Sequence, residues 1–189
     1  MPSYERNNNR RSADLGALLD GLMASGVEFI LVGGLAAVAQ GAPITTLDVD
    51  IVHHQTDENI QKLLTFLLSV GARHHRPDDK VIKPNKRDLL GSGDALFVTQ
   101  LGPLDVLGVI EKGRGFDALL EDTEEIGFRG RRIRVLKLET LVALKRHSEN
   151  PRDRHRLPLF EEVLSQIRFT DAAGVSPEAD KGEKKNTQA

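Results

Sequence analysis

Apolar residues recur along the chain at two periods, and the switches between them lay out the elements. Leu15, Leu18, Leu19 and Leu22 are spaced by three and four behind a capping Ser12 or Asp14, which predicts a helix that Gly26 stops. Val27 to Val32 is a short continuous apolar run and reads as a buried strand, broken by Gly33-Gly34. Leu35 to Gln40 is rich in Ala and predicts a short helix ended by Gly41 and Pro43. Leu47 to Val52 predicts a second strand. Thr56 or Asp57 then caps a helix whose Ile60, Leu63, Leu64, Leu67 and Leu68 form one apolar face before Gly71. From Ala72 to Leu90 the chain carries Pro77, Asp78, Asp79, Pro84 and Asn85, the composition of a surface loop. Ala95 to Thr99 and Leu104 to Val109 predict a hairpin across Leu101-Gly102-Pro103, and Ile126 to Phe128 with Ile133 to Leu136 a second across Arg129-Gly130. Phe116, Leu119 and Leu120 suggest a short helix between the hairpins. Helices over Leu138 to His147 and Leu157 to Ile167, separated by Asn150-Pro151, close the pattern. The order α-β-α-β-α-β-β-α-β-β-α-α implies an α/β (α+β) domain, a mixed sheet with flanking helices.

Composition narrows the chemistry. With 189 residues, 39% of them hydrophobic, the chain can bury a core without disulfides or a structural metal. Residues 12–169 are expected to form one domain, with C-terminal helices from about 138; polar 1–11 and 170–189 are expected to be disordered. The absence of cysteine removes zinc–thiolate sites, iron–sulfur clusters and a thiol nucleophile. No apolar run approaches the ~20 residues of a membrane helix, and Met1 to Arg11 is unlike a signal peptide, so a cytoplasmic protein with no membrane partner is expected. The net charge of −2 conceals an asymmetry. From Arg129 to Arg156, ten Lys and Arg face only Glu139, Glu149 and Asp153, a local +7 that suggests an anionic partner.

The candidate chemistry begins at Leu47-Asp48-Val49-Asp50-Ile51-Val52. Strand alternation puts Asp48 and Asp50 on one face, about 7 Å apart at Cα, while Leu47, Val49 and Ile51 point into the core. The two acids either converge on one cation or face water from a half-exposed strand. Asp105, flanked by apolar Leu104 and Val106, either turns to solvent at a strand start or joins them. Burying it unpaired would cost several kcal/mol. If its strand pairs with that of Asp48 and Asp50, three like charges meet, and a hard divalent cation such as Mg²⁺ resolves the repulsion. Gly33-Gly34, at a strand end feeding a helix, is either a plain turn or a set of backbone N–H groups open to phosphate. His53-His54 and His74-His75 point to opposite faces at element edges and are expected to be solvated.

Taken together, Phe29-Ile30-Leu31-Val32-Gly33-Gly34, Gly41 and Thr45-Thr46-Leu47-Asp48-Val49-Asp50-Ile51 resemble the signature of the DNA polymerase β-type nucleotidyltransferase superfamily. Asp105 in Pro103-Leu104-Asp105-Val106-Leu107 matches its third acid. Lys145 in Leu141-Val142-Ala143-Leu144-Lys145 and Asp153 in Asn150-Pro151-Arg152-Asp153 are similar to positions in the small bacterial branch related to toxin–antitoxin (AbiEii-like) proteins. The resemblance, from about Val27 to Phe160, implies transfer of a nucleoside monophosphate from an NTP to an acceptor. It also implies Mg²⁺ or Mn²⁺ held by Asp48, Asp50 and Asp105, with Asp105 helping to deprotonate the attacking hydroxyl. Gly33, Gly34, Thr46, Lys145 and Asp153 would contact the nucleotide. The implied acceptors are tRNA or another polyanion, a protein or a small molecule, and the implied partner is a cognate antitoxin protein. A catalytically silent nucleotide- or partner-binding module of the same fold is the alternative. The chain departs from the pattern at Ile44, Asn150 and Arg156, where relatives carry a basic residue, a basic residue and an acid.

Overall fold

Local rules account for most of the elements in the computed structural model, which describes residues 13–78, 80–110, 113–147 and 151–172. In chain order these are α1 (Leu15–Ala24), β1 (Phe29–Val32), α2 (Gly33–Ala39), β2 (Val49–His53), α3 (Asp57–Ser69), β3 (Arg73–His74), β4 (Asp94–Val98), β5 (Pro103–Leu107), α4 (Phe116–Leu119), β6 (Thr123–Phe128), β7 (Arg131–Leu136), α5 (Leu138–Arg146) and α6 (Pro151–Ala172). Asp14 caps α1 through Ala17 N–H, and Thr56 caps α3 above first-turn acids Asp57 and Glu58, which suit the positive helix end. The β6–β7 hairpin turns through Arg129 and Gly130, at φ 47° and 78°, as a two-residue turn with both central angles positive requires.

The seven strands form one mixed sheet in the order β3-β4-β5-β2-β1-β7-β6. β1 pairs antiparallel with β2 and parallel with β7, and β2 pairs parallel with β5. This arrangement sets the acids of β2 and β5 side by side. Buried Leu18, Leu22, Ile30, Ile51, Leu63 and Leu104 contribute to the hydrophobic core. Helix α2 packs against β1, β2 and α5, and α5 against α6. Gln40, just after α2, fixes that packing: its amide donates to Leu136 O at 2.9 Å and accepts from Leu138 N at 2.6 Å, pinning the start of α5.

Several sequence expectations change. Leu47 is 73% exposed rather than in the core, because the ladder begins only at Val49 and the preceding residues lie outside the sheet. The segment 72–90 is not wholly a loop. It contributes edge strand β3 and a 3₁₀ turn, Lys86–Leu89, whose Leu89 is buried. His53, expected to be solvated, is 1% exposed; its ring nitrogens lie 3.1 Å from Leu107 O and 2.9 Å from Leu89 O, so it joins the 3₁₀ turn to β5. Gln55 extends this clamp by pairing both ways with the Gly91 backbone. The last helix starts at Pro151 rather than Leu157 and carries Pro158 inside it. Proline is well suited to the first helical turn, so Pro151 opens the helix instead of preventing it. The ends expected to be disordered are 1–11 and 170–189; the last helix extends to Ala172, and 1–11 and 173–189 lie outside the described residues.

Candidate active site

Parallel pairing of β2 with β5 places Asp50 directly opposite Asp105 in register. Asp48, one bend before β2, completes the group, and one carboxylate oxygen from each acid lies within 4.8 Å of the others. All three side chains are half-buried. Like charges this close repel, and either retained protons or a cation relieve the repulsion. Burial, then Asp48, then Asp105 push the Asp50 carboxyl up to about 7, against the opposing pull of Gly34 N–H and Lys145. Burial and Asp48 likewise push Asp105 up to about 6; Asp94 adds to the rise and His75 opposes it. His75 reaches this region because its N–H bonds Leu96 O at 2.8 Å and Leu96 is the register partner of Asp105.

The glycine turn is built around these acids. Gly33 has φ +66°, and a Cβ there would lie 2.0 Å from Asp50 Oδ2, so only glycine lets the carboxylate lie against the turn. A Cβ on Gly34 would meet Thr46 Oγ1 at 2.7 Å. Thr46 in turn donates to Asp48 Oδ1 at 2.7 Å, so its hydroxyl orients a cluster acid. The N-cap Val32 offers no side-chain acceptor to the start of α2; the Gly34 N–H instead bonds the Asp50 carboxylate.

The C-terminal helices supply the positive side. Lys145 is half-buried on α5, its Nζ 5.6 Å from the centroid of the buried Phe160 ring of α6, and its charge favours ionised Asp50. Arg156 stood out in the sequence only as a departure from the family pattern, with no role assigned. From α6, its Nη2 lies 3.4 Å from Thr45 O, and its Nη1 would lie 3.8 Å from a Cβ on Gly34. The available signal was its four-residue spacing to Phe160, which puts both on one helix face. Asp153 falls in the first turn of α6, where its side chain lies outside the described residues.

Four other arginines of the basic segment are paired away from the acids. Arg129 pairs with Asp20, Arg132 and Arg134 with Glu125, and Arg146 with Glu161. Arg132 and Arg134, with Phe29, His54 and Phe116, line a cavity of about 580 Å³ by the start of β1, whereas the acids lie by its end, where Val32 pairs with Asp50.

No sequence-family model matches this chain, and no curated protein matches it. Solved structures do match in fold. The lincomycin-bound lincosamide antibiotic adenylyltransferase LnuA superposes with a TM-score of 0.54 at 15% identity, covering 79% of this chain and 96% of that one. ANT(2″)-Ia in complex with adenylyl-2″-tobramycin gives 0.52 at 16% identity, over 84% and 95%. An antigenic nucleotidyltransferase-like protein from Paracoccidioides brasiliensis gives 0.54 at 14% identity, over 80% and 73%. The fold is therefore that of the polymerase β-like nucleotidyltransferases.

Proposed function

We propose that this protein transfers a nucleoside monophosphate from an NTP to an acceptor hydroxyl. The observation that carries the reading is the in-register pair Asp50 and Asp105, joined by Asp48 in one carboxylate cluster on a nucleotidyltransferase fold. The three acids fit Mg²⁺ or Mn²⁺: they are hard oxygen donors, and their mutual repulsion is relieved by a divalent charge. When bound, the ions would neutralise the triphosphate and stabilise the attacking and leaving oxygens.

The chain's own groups do the rest. Asp105, in register with Asp50 on the neighbouring strand, would accept the proton of the attacking hydroxyl. That oxygen bonds to the α-phosphorus; the bond from the α-phosphorus to the bridging oxygen breaks, and pyrophosphate leaves with the electron pair. Thr46 holds Asp48 in place, Gly33 lets Asp50 approach the turn, and Lys145 sets a positive charge beside Asp50. The side-chain-free turn at Gly33-Gly34 leaves room for the triphosphate beside the acids.

A small-molecule hydroxyl is the favoured acceptor. The ion pairing of Arg129, Arg132, Arg134 and Arg146 weakens the case for tRNA or another polyanion. The bound lincomycin and adenylyl-tobramycin of the two antibiotic-modifying neighbours point the same way. A role within a toxin–antitoxin pair rests on the Lys145 and Asp153 matches alone. The test incubates the protein with each α-labelled NTP, Mg²⁺ or Mn²⁺, and small-molecule, tRNA and protein fractions of a cell extract. Metal-dependent pyrophosphate release with label retained in one fraction supports the reading. Nucleotide binding with no release in any fraction identifies a silent module instead.

A further inference from the structure

Arg156 stands apart from the paired arginines by where its guanidinium points. Its only described polar contact is with the Thr45 carbonyl, at 3.4 Å, beyond the 2.7–3.2 Å of a strong N–H···O bond. A guanidinium carries five donors in a planar fork, so this contact positions the group and leaves most of its donors available. Three features set that position. Phe160, one turn later and fully buried, fixes the rotation of α6. Thr45 belongs to the segment that leads into Asp48 and Asp50. Gly34 has no side chain, and a Cβ there would touch Thr46 on one side and approach Arg156 on the other.

The two glycines thus separate two environments. A Cβ on Gly33 would collide with Asp50, at the acid end of the site; one on Gly34 would come within 3.8 Å of Arg156. Lys145 acts on the acid side, where its charge is felt by Asp50. A triphosphate whose α-phosphorus lies at the carboxylates must run its distal, more negative end away from them, along the side-chain-free face of Gly34.

We propose that Arg156 receives that distal end: it contacts the β- and γ-phosphates of the bound NTP and meets the charge that develops on pyrophosphate as the bond to the α-phosphorus breaks. This inference rests on the nucleotidyl-transfer reading. The planar fork matches two phosphate oxygens at once, whereas a lysine offers a point charge. The departure from the family pattern at this position then has a function, a cation on the leaving-group side of the cluster.

The experiment is calorimetric titration of magnesium pyrophosphate, a probe independent of base and acceptor, into the full-length protein. Wild type, Arg156→Gln, Arg156→Lys and the exposed-site control Arg154→Gln are compared, with Asp50→Asn titrated with Mn²⁺ alone. The expected result is a loss of pyrophosphate affinity of about tenfold or more in Arg156→Gln, partial recovery in Arg156→Lys and no change in Arg154→Gln, at equal melting temperatures. Should Arg156→Gln unfold, Arg156→Lys carries the comparison alone, with reduced affinity expected from loss of the fork. Wild-type affinity in both Arg156 variants would overturn the inference. In that case, loss of Mn²⁺ binding in Asp50→Asn would leave the transfer reading standing. A wild-type protein that binds neither magnesium pyrophosphate nor any magnesium NTP would overturn both.

Discussion

Asp50 concentrates the physical conflict of the site. Its carboxyl is raised to about 7 in the metal-free fold, whereas in the unfolded chain it reverts to about 3.8. Below that lower value both states hold the proton; between the two values the unfolded chain releases it and the native state keeps it. Stability of the metal-free protein therefore falls as pH rises through this window and stays lower above it. Asp50→Asn removes the titration. With chelator present, calorimetry should find it melting several degrees above the parent near pH 8 and together with it near pH 4, with transfer reduced about 100-fold or more. A lower melting temperature near pH 8 would mean the acid is a structural partner. The glycines allow a second test. Gly26 and Gly33 have nearly the same angle, φ +65° and +66°, but nothing lies within 4 Å of a Cβ on Gly26. Gly26→Ala should cost about 1–2 kcal/mol of stability through the backbone alone. Gly33→Ala should cost more in denaturant titrations and also weaken Mn²⁺ binding, because it pushes the Asp50 carboxylate off the turn.

Among the elements, α6 combines a site role with a local flaw. It presents Arg156 and Phe160 on one face, yet Pro158 lies inside it and cannot donate to the carbonyl four residues earlier. Pro158→Ala restores that donor and removes the ring clash. The denaturant midpoint should rise, corresponding to about 1–3 kcal/mol. If the bend at Pro158 is what aims Arg156 at Gly34, the same variant should lose pyrophosphate affinity while gaining stability. The opposite half of the sheet is held by side chains at alternate positions from the end of β2 onward: His53 to Leu89 O, Gln55 to Gly91 and Asp57 to Lys86. Burial lowers the His53 pKa while both carbonyl contacts raise it, so the clamp opposes the desolvation of its own ring.

For the whole molecule, charge placement matters more than charge count. Metal binding must displace protons from Asp50 and Asp105, whose carboxyls lie near 7 and 6. Apparent Mn²⁺ affinity should therefore climb through that range and level off above it, which titration at a series of pH values would check. A flat profile from about pH 5 to 8 would place the ion elsewhere. The basic segment makes the other test. With Arg129, Arg132, Arg134 and Arg146 engaged by Asp20, Glu125 and Glu161, fewer of its charges are available to a polyanion. The slope of log affinity against log salt for a model RNA should correspond to about two or three phosphate contacts, and a slope near six or more would restore a broad basic face.

The helices and hairpins were legible along the chain because their signals are local: the Asp14 and Thr56 caps, the Leu15 to Leu22 spacing and the positive-φ turn at Arg129-Gly130 each depend on a few neighbouring residues. The acids of β2 could be singled out by alternation and the third acid by its apolar flanks, but their convergence was conditional on which strands pair. Only the parallel β2–β5 ladder decided it, by setting Asp50 opposite Asp105. Long-range pairing likewise decided against the local reading at Leu47, which the late start of the ladder leaves in water, and at His53, which two distant carbonyls draw into the interior. The +7 of the basic segment is a sum over sequence, whereas an electrostatic field depends on positions in space. Acids from α1, β6 and α6 answer Arg129, Arg132, Arg134 and Arg146, and packing of α5 and α6 brings Lys145 and Arg156 to the site.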